Sequence, residues 1–141
     1  MVKVERTYTF DGPDGPVTLA DLFGDRMQLI TWHIMMGPDW DAACPTCTTF
    51  MNELSPAALA WLRDCQTAFA LVSRAPLAKL EAYQASKGWA LPRYSSHGSD
   101  FNYDFAVTLD HTDLPYALLD LTALGRQEAW EEPKGRAPVL R

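Results

Sequence analysis

Cys44-Pro45-Thr46-Cys47 stands between the apolar run Met27-Gln28-Leu29-Ile30-Thr31-Trp32-His33-Ile34 and a segment whose apolar positions Cys47, Phe50, Met51 and Leu54 follow helical spacing. A strand followed by a helix puts the first thiol at the helix entrance, where unpaired backbone N–H groups and the helix dipole favour thiolate over thiol. The thiolate is the species that attacks disulfides. A second thiol one turn on is placed to release what the first has captured. The same spacing supplies half of many zinc sites, so the rest of the chain has to separate redox from metal chemistry.

Upstream, residues 2–10 alternate apolar and polar positions and Asp11-Gly12-Pro13-Asp14-Gly15-Pro16 is a dense turn cluster, which together predict entry through a β-hairpin. Val17-Thr18-Leu19 reads as a short strand and Leu19-Ala20-Asp21-Leu22-Phe23 as a helical turn stopped by Gly24. Residues 27–34 then form a largely apolar strand, expected at the centre of a sheet. Downstream, Ser55-Pro56 marks either a kink or a fresh helix with Ser55 as N-cap and Pro56 at N1, running through Trp61 and Leu62. Residues 67–72 are a second buried-type strand. Pro76 opens a helix with Leu77, Ala78, Leu80 and Tyr83 on its apolar face, ended by Gly88. Strand, helix, strand, helix implies parallel strands joined by right-handed crossovers, with functional residues at their carboxyl ends, and Cys44 falls there. The Pro and Gly content of residues 131–141 predicts a flexible tail, leaving residues 1–130 as a single domain.

The 141 residues are enough for a real core, and 48% hydrophobic with 11% aromatic content argues against disorder. With 18 acidic against 12 basic residues the net charge is -6, so the basic footprint of a nucleic-acid binder is absent. The N-terminus lacks the apolar stretch of a secretory signal and no segment approaches the roughly 20 apolar residues that span a bilayer. The expectation is a soluble, cytoplasmic chain with neither nucleic acid nor membrane as partner. Three cysteines are too few and too odd for a secreted disulfide scaffold, whereas in a reducing compartment a C-x-x-C is catalytic or metal-bound.

The run Tyr8-Thr9-Phe10, Gly15-Pro16-Val17-Thr18-Leu19-Ala20-Asp21-Leu22-Phe23-Gly24 and Gln28-Leu29-Ile30 resembles the N-terminal half of peroxiredoxin-like members of the thioredoxin superfamily. Gly37-Pro38-Asp39-Trp40, Cys44-Pro45-Thr46-Cys47, Val72-Ser73-Arg74-Ala75-Pro76-Leu77 and Ser99-Asp100-Phe101-Asn102-Tyr103-Asp104-Phe105 resemble more closely a bacterial family of uncharacterised thioredoxin-like proteins. The resemblance implies a thioredoxin fold with Cys44 and Cys47 as redox pair, and implies no particular substrate. Members of that family carry a longer stretch between the motif at residues 100–105 and the segment matching residues 118–126. In a thioredoxin fold that region supplies the last two antiparallel strands and a cis-proline facing the redox pair, so the resemblance implies a shortened C-terminal half. Leu114-Pro115 is the nearby position for such a proline. Alternatively Thr112 or Asp113 caps a helix with Pro115 in its first turn, Leu118, Leu119 and Leu121 on its face and Gly125 at its end, which is the reading we expect. The N-terminus is short as well, without the helical segment that precedes the first strand in the family.

Each further candidate has a structural competitor. Zinc would need two more ligands, and although Cys65, His33, His97 and His111 are available, no second C-x-x-C or H-x-x-x-H supplies the paired spacing. Cys65, near a helix end before a buried strand, is expected to be a small core hydrophobe, with a resolving or regulatory thiol as the alternative. Trp40 either shields the disulfide or packs its loop onto the domain. His33 either faces the redox loop, where it would lower a thiolate pKa or move a proton, or is a hydrogen-bonded core residue. Arg74 lies at the same carboxyl edge, as a thiolate-stabilising cation or as a solvated loop residue. Asp100, Asp104, Tyr103 and Phe101 form either the wall of the site or a helical turn capped by Ser99 with Phe101 and Phe105 in the core.

Peroxiredoxins carry a proline and a hydroxyl residue upstream of their reactive cysteine in the pattern P-x-x-x-T/S-x-x-C. The matching positions here are Gly37 and Asp41, so the groups that orient peroxide are missing. The sequence therefore reads as a single-domain α/β protein of thioredoxin-like fold, with a central, mainly parallel sheet flanked by helices and without the usual last two strands. Its expected activity is thiol–disulfide exchange on a disulfide-bearing protein or small thiol, with Cys44 as nucleophile, Cys47 as resolving thiol, Trp40, Arg74 and His33 in support, and no bound cofactor. The alternatives are a thiol-dependent peroxidase and a non-catalytic thioredoxin-like binding scaffold. An unpaired edge on residues 27–34 would favour a homodimer.

Overall fold

The computed structural model describes residues 4–105 and 107. Its backbone is a five-stranded sheet in the order β2-β1-β5-β4-β3, built from β1 (Thr9–Gly12), β2 (Gly15–Thr18), β3 (Gln28–His33), β4 (Thr67–Ser73) and β5 (Arg93–Ser95). The β-branched and aromatic residues of β3 and β4 lock into a parallel register from Gln28 opposite Thr67 to His33 opposite Val72, and β5 continues the parallel set with Leu71 opposite Arg93. The hairpin β1–β2 closes the far side, antiparallel, with Asp11 opposite Ser95.

Among the described residues the α-helices are α1 (Pro45–Glu53), α2 (Pro56–Asp64), α3 (Leu77–Lys87) and the short α4 (Phe101–Asp104). Ser55-Pro56 is a fresh start and not a kink, because the Ser55 hydroxyl accepts the N–H of Ala58 (3.1 Å) and Pro56 occupies the first turn. Gly88 ends α3 in the left-handed conformation at φ 70°, as the sequence predicts. The crossovers β3–α1–α2–β4 and β4–α3–β5 step the same way across the sheet. Right-handed crossovers then bring their helices to one face.

Alternation along β4 divides the core accordingly. Phe69 and Leu71 join Ile34, Met35, Met36, Cys47, Met51 and Leu80 on the helix face, while Ala70 and Val72 join Tyr8, Phe10, Leu22 and Phe101 on the other. The fold class read from the sequence, a single α/β domain with helices flanking a mainly parallel sheet, is the one formed.

Two expectations differ from the structure, the central place of β3 and the burial of Cys65, while the hairpin forms as expected and β5 had no expectation attached to it. The strand expected at the centre of the sheet, β3, is outermost among the described residues, since both crossovers carry the chain away from it. The hairpin expected at residues 11–16 forms, with strand pairing running into the turn cluster as far as Gly12 opposite Gly15, and Gly15 adopts φ 120°, which L side chains rarely adopt. β5 has no alternation that announces it, and it forms because β4 offers it a parallel edge. Cys65 is exposed, not a core residue, because it caps the end of α2, a helix that buries none of its residues fully. The alternatives for Pro115, the boundary at residue 130 and the tail at 131–141 lie outside the described residues. No helix among the described residues is long and apolar enough to cross a membrane.

Candidate active site

Cys44 is the N-cap of α1 and Pro45 its first helical residue, so the strand-to-helix junction read from the sequence is where the thiols sit. The residue is held from both sides of its peptide. Its N–H donates to the carbonyl of Met35 at the end of β3 (2.8 Å), and its own carbonyl accepts the N–H of Thr48 (3.0 Å) and the Thr48 hydroxyl (3.0 Å). Thr48 in turn shares a hydrogen bond with the Tyr83 hydroxyl of α3 (2.9 Å), which ties the first turn of α1 to its neighbour.

The thiols are electrostatically unequal. Burial pushes the Cys44 thiol up, but hydrogen bonds from the backbone N–H groups of Cys47 and Thr46 outweigh it and leave its pKa below the ordinary cysteine value. Cys47 is buried, 4% exposed, and burial raises its pKa; a hydrogen bond from the backbone of Met35 opposes this, and the neighbouring Cys44 charge adds to it. One helix entrance thus holds a half-buried thiol biased toward thiolate beside a buried thiol biased toward the protonated form.

The loop leading to Cys44 is anchored rather than free. Trp40 donates its N–H to the Gly37 carbonyl (3.1 Å), closing a turn over Pro38, and the Lys79 ammonium of α3 donates to the Pro38 carbonyl (2.7 Å). Trp40 packs against the same core cluster as Cys44. A Cβ on Gly37 would meet the Trp40 indole at 3.0 Å, so any larger residue at this position requires the indole to shift. Serines stitch the carboxyl edge of the sheet. Ser73 donates to the Met36 carbonyl (3.3 Å), Ser95 donates to the Ala75 carbonyl (2.7 Å), and the Ser96 N–H donates to the Ser73 carbonyl (2.7 Å).

His33 is not a member of this site. It points to the opposite face, where its Nε2–H donates to the Asn102 Oδ1 (3.3 Å); that oxygen also accepts the Ser96 hydroxyl (2.7 Å), so Nε2 carries the proton. Nδ1 is buried with no hydrogen-bond partner that meets normal geometry among the described residues. Burial, partly offset by the Asn102 bond and reinforced by the positive charge of Arg74, pushes the His33 pKa down to about 4. His33 is thus a half-buried, hydrogen-bonded residue on the face of β3 opposite the thiols. Arg74, half-buried after β4, acts electrostatically on His33.

The cluster at residues 100–105 is likewise structural. Asp100 and Asp104 bind the Arg6 guanidinium, Asp104 accepts the Tyr8 hydroxyl (2.7 Å), and Phe101 is buried against Tyr8 and Phe10 while Tyr103 is exposed. Ser99 accepts the N–H of Phe101 (3.3 Å), near the expected cap. Thr48, Tyr83, Lys79, Ser73 and Asn102 went unread in the sequence. Only Thr48 carries a local signal, one helical turn after Cys44; the others act through contacts distant in the chain. Among the described residues no group of three or more His, Cys, Asp or Glu is placed to hold a metal ion.

No curated protein matches the chain. Among solved structures it is similar to one from Bacteroides thetaiotaomicron, "Solution structure of a putative protein disulfide isomerase", at 22% identity and a TM-score of 0.45, over 67% of this chain and 58% of that one. This chain therefore spans less than two thirds of that structure's length. Residues 1–115 match the family described as "Bacterial protein of unknown function (DUF899)", a match that covers the hairpin, β3, the thiol pair and the motif at residues 99–105. The chain belongs to that bacterial family.

Proposed function

We propose that this protein is a thiol–disulfide oxidoreductase in which Cys44 attacks and Cys47 resolves. The observation that carries the reading is the opposite bias of the two thiols at one helix entrance, Cys44 toward thiolate and Cys47 toward thiol. The Cys44 thiolate attacks one sulfur of a substrate disulfide, forming a mixed disulfide and expelling the other sulfur as a thiolate that takes up a proton. Until then the Cys44 charge raises the Cys47 pKa. Capture of Cys44 removes that charge, so Cys47 ionises more readily once there is something to resolve. Its thiolate attacks the Cys44 sulfur, releases the second substrate thiolate and leaves a Cys44–Cys47 disulfide. Two electrons have passed from the protein to the substrate, and an external dithiol returns them or, run backwards, the protein oxidises its partner.

The substrate class this supports is a disulfide-bearing protein or small thiol; Trp40 packs on the same core cluster as Cys44. The test is trapping with a disulfide substrate. Cys47→Ser accumulates a mixed disulfide on Cys44 that reductant removes, and Cys44→Ser forms none. Absence of an adduct in Cys47→Ser, together with failure of the wild type to form an internal disulfide under mild oxidant, overturns the assignment.

A further inference from the structure

Past its last residue, β3 keeps the parity of its ladder. The N–H of Ile34 donates to the Val72 carbonyl (2.8 Å), and two residues on the Met36 carbonyl accepts the Ser73 hydroxyl (3.3 Å), so Ile34 and Met36 both face β4. Met35 lies between these anchors and faces the other way. Its carbonyl accepts the Cys44 N–H (2.8 Å), and its own N–H donates to the Cys47 sulfur. One residue at the strand end thus holds both cysteines. Ser73 fixes it from the β4 side, with a hydroxyl that accepts the Ala75 N–H (3.2 Å) and so keeps its single proton for Met36. Ser73 is 0% exposed, Met36 1% and Met35 3%, which puts this clamp in the core and not on the surface.

We propose that Ser73 is a positioning residue for the resolving step: by holding the Met36 carbonyl it sets the Met35 N–H against the Cys47 sulfur, where the charge of the resolving thiolate develops. The role rests on the thiol–disulfide reading of the pair. In that step Cys47 gives its proton to solvent, its sulfur bonds to the Cys44 sulfur, the bond from Cys44 to the substrate breaks, and the substrate leaves as a thiolate that takes up a proton. Cys47 must therefore ionise where burial opposes it, and a fixed backbone donor offsets that cost without reorganising. Capture draws on other donors. The N–H groups that favour the Cys44 thiolate belong to Thr46 and Cys47, inside the first turn of α1. Ser73 should thus act on the second thiol more than on the first, although its hydroxyl is spent on Met36 and Ala75.

The test is an NMR titration of the Cys47 Cβ in the full chain carrying Cys44→Ser and Cys65→Ser, which leaves Cys47 as the single thiol and needs no disulfide chemistry. Adding Ser73→Ala should raise the Cys47 midpoint by about half to one pH unit, the scale of one hydrogen bond to a charged sulfur, and Ser73→Thr, which keeps the hydroxyl, should restore it. A merely structural Ser73 would cost stability and leave the midpoint in place. In the parent chain the Met35 amide resonance should shift with the same midpoint as Cys47, a readout that needs no change at Ser73. With Cys44 restored, Ser73→Ala should lower the ratio of resolution to capture of a disulfide substrate about fivefold. An unmoved Cys47 midpoint in Ser73→Ala, or a Met35 amide blind to the titration, overturns the proposal whatever the protein does with disulfides. A raised midpoint in a protein that captures no disulfide overturns the redox reading instead, and the resolving role with it.

Discussion

At the carboxyl end of β3 the two faces of the sheet carry polar groups of opposite design. On the helix face, Cys44 meets the N–H groups of a helix entrance and is held toward its charged form. On the other face, His33 is hydrogen-bonded to Asn102, which also accepts the Ser96 hydroxyl, and burial holds it toward its neutral form. The strand delivers both, but only the face with unpaired backbone donors stabilises charge. Proximity to the thiol pair in sequence therefore does not make a residue part of the chemistry, and the two faces should respond separately to substitution.

The sharpest separation is in reactivity. Cys44→Ser should lose capture of a disulfide substrate completely, as read by mixed-disulfide formation, while His33→Gln, which keeps a donor for Asn102, should leave that capture within twofold of the wild type. A large loss in His33→Gln would merge the two faces.

Acid titration is the next largest effect. Below about pH 6.5 the unfolded chain takes a proton on His33 that the folded chain refuses until about pH 4. Stability is therefore lost as pH falls through that window, by up to roughly 3 kcal/mol at about 1.4 kcal/mol per pH unit. Chemical denaturation at several pH values should show the loss in the wild type and a flatter profile in His33→Gln.

Asn102→Ala should cost roughly 2 kcal/mol, because it leaves the Ser96 hydroxyl and carbonyl and the His33 Nε2–H without their partner. Unfolding in denaturant measures it, with the pH dependence of thiol alkylation unchanged. On the helix face, Thr48→Val should cost about 1 kcal/mol by removing the bridge from the Cys44 carbonyl to Tyr83. Smallest of all, Cys65→Ala should stay within about 0.5 kcal/mol of the wild type, since the residue is exposed and no cavity is made. A loss above about 1 kcal/mol would return Cys65 to the core.

What the sequence displayed was local. Cys44-Pro45, Ser55-Pro56 and Gly88 announce helix ends through chemistry that acts within one turn, and residues 27–34 and 67–72 announce strands through apolar runs; each was legible. What it concealed was partnership at long range. Nothing near Asn102 says that it will meet His33, 69 residues away, and nothing near Lys79 points to the carbonyl of Pro38. The position of β3, outermost among the described residues, was hidden for the same reason: an apolar strand reads as central wherever in the sheet it lies. Cys65 misled because a small apolar residue beside a buried strand resembles core until the helix end is seen to face solvent.

The central claim is that the helix entrance divides labour between two thiols, and the rate of alkylation of each cysteine against pH tests it most directly. Followed by mass spectrometry of the reduced protein, Cys44 should react first, with a midpoint below that of an ordinary cysteine, and Cys47 slowly, with a midpoint above it. Equal, slow alkylation of both near pH 7, with coincident midpoints at or above that value, would contradict the account.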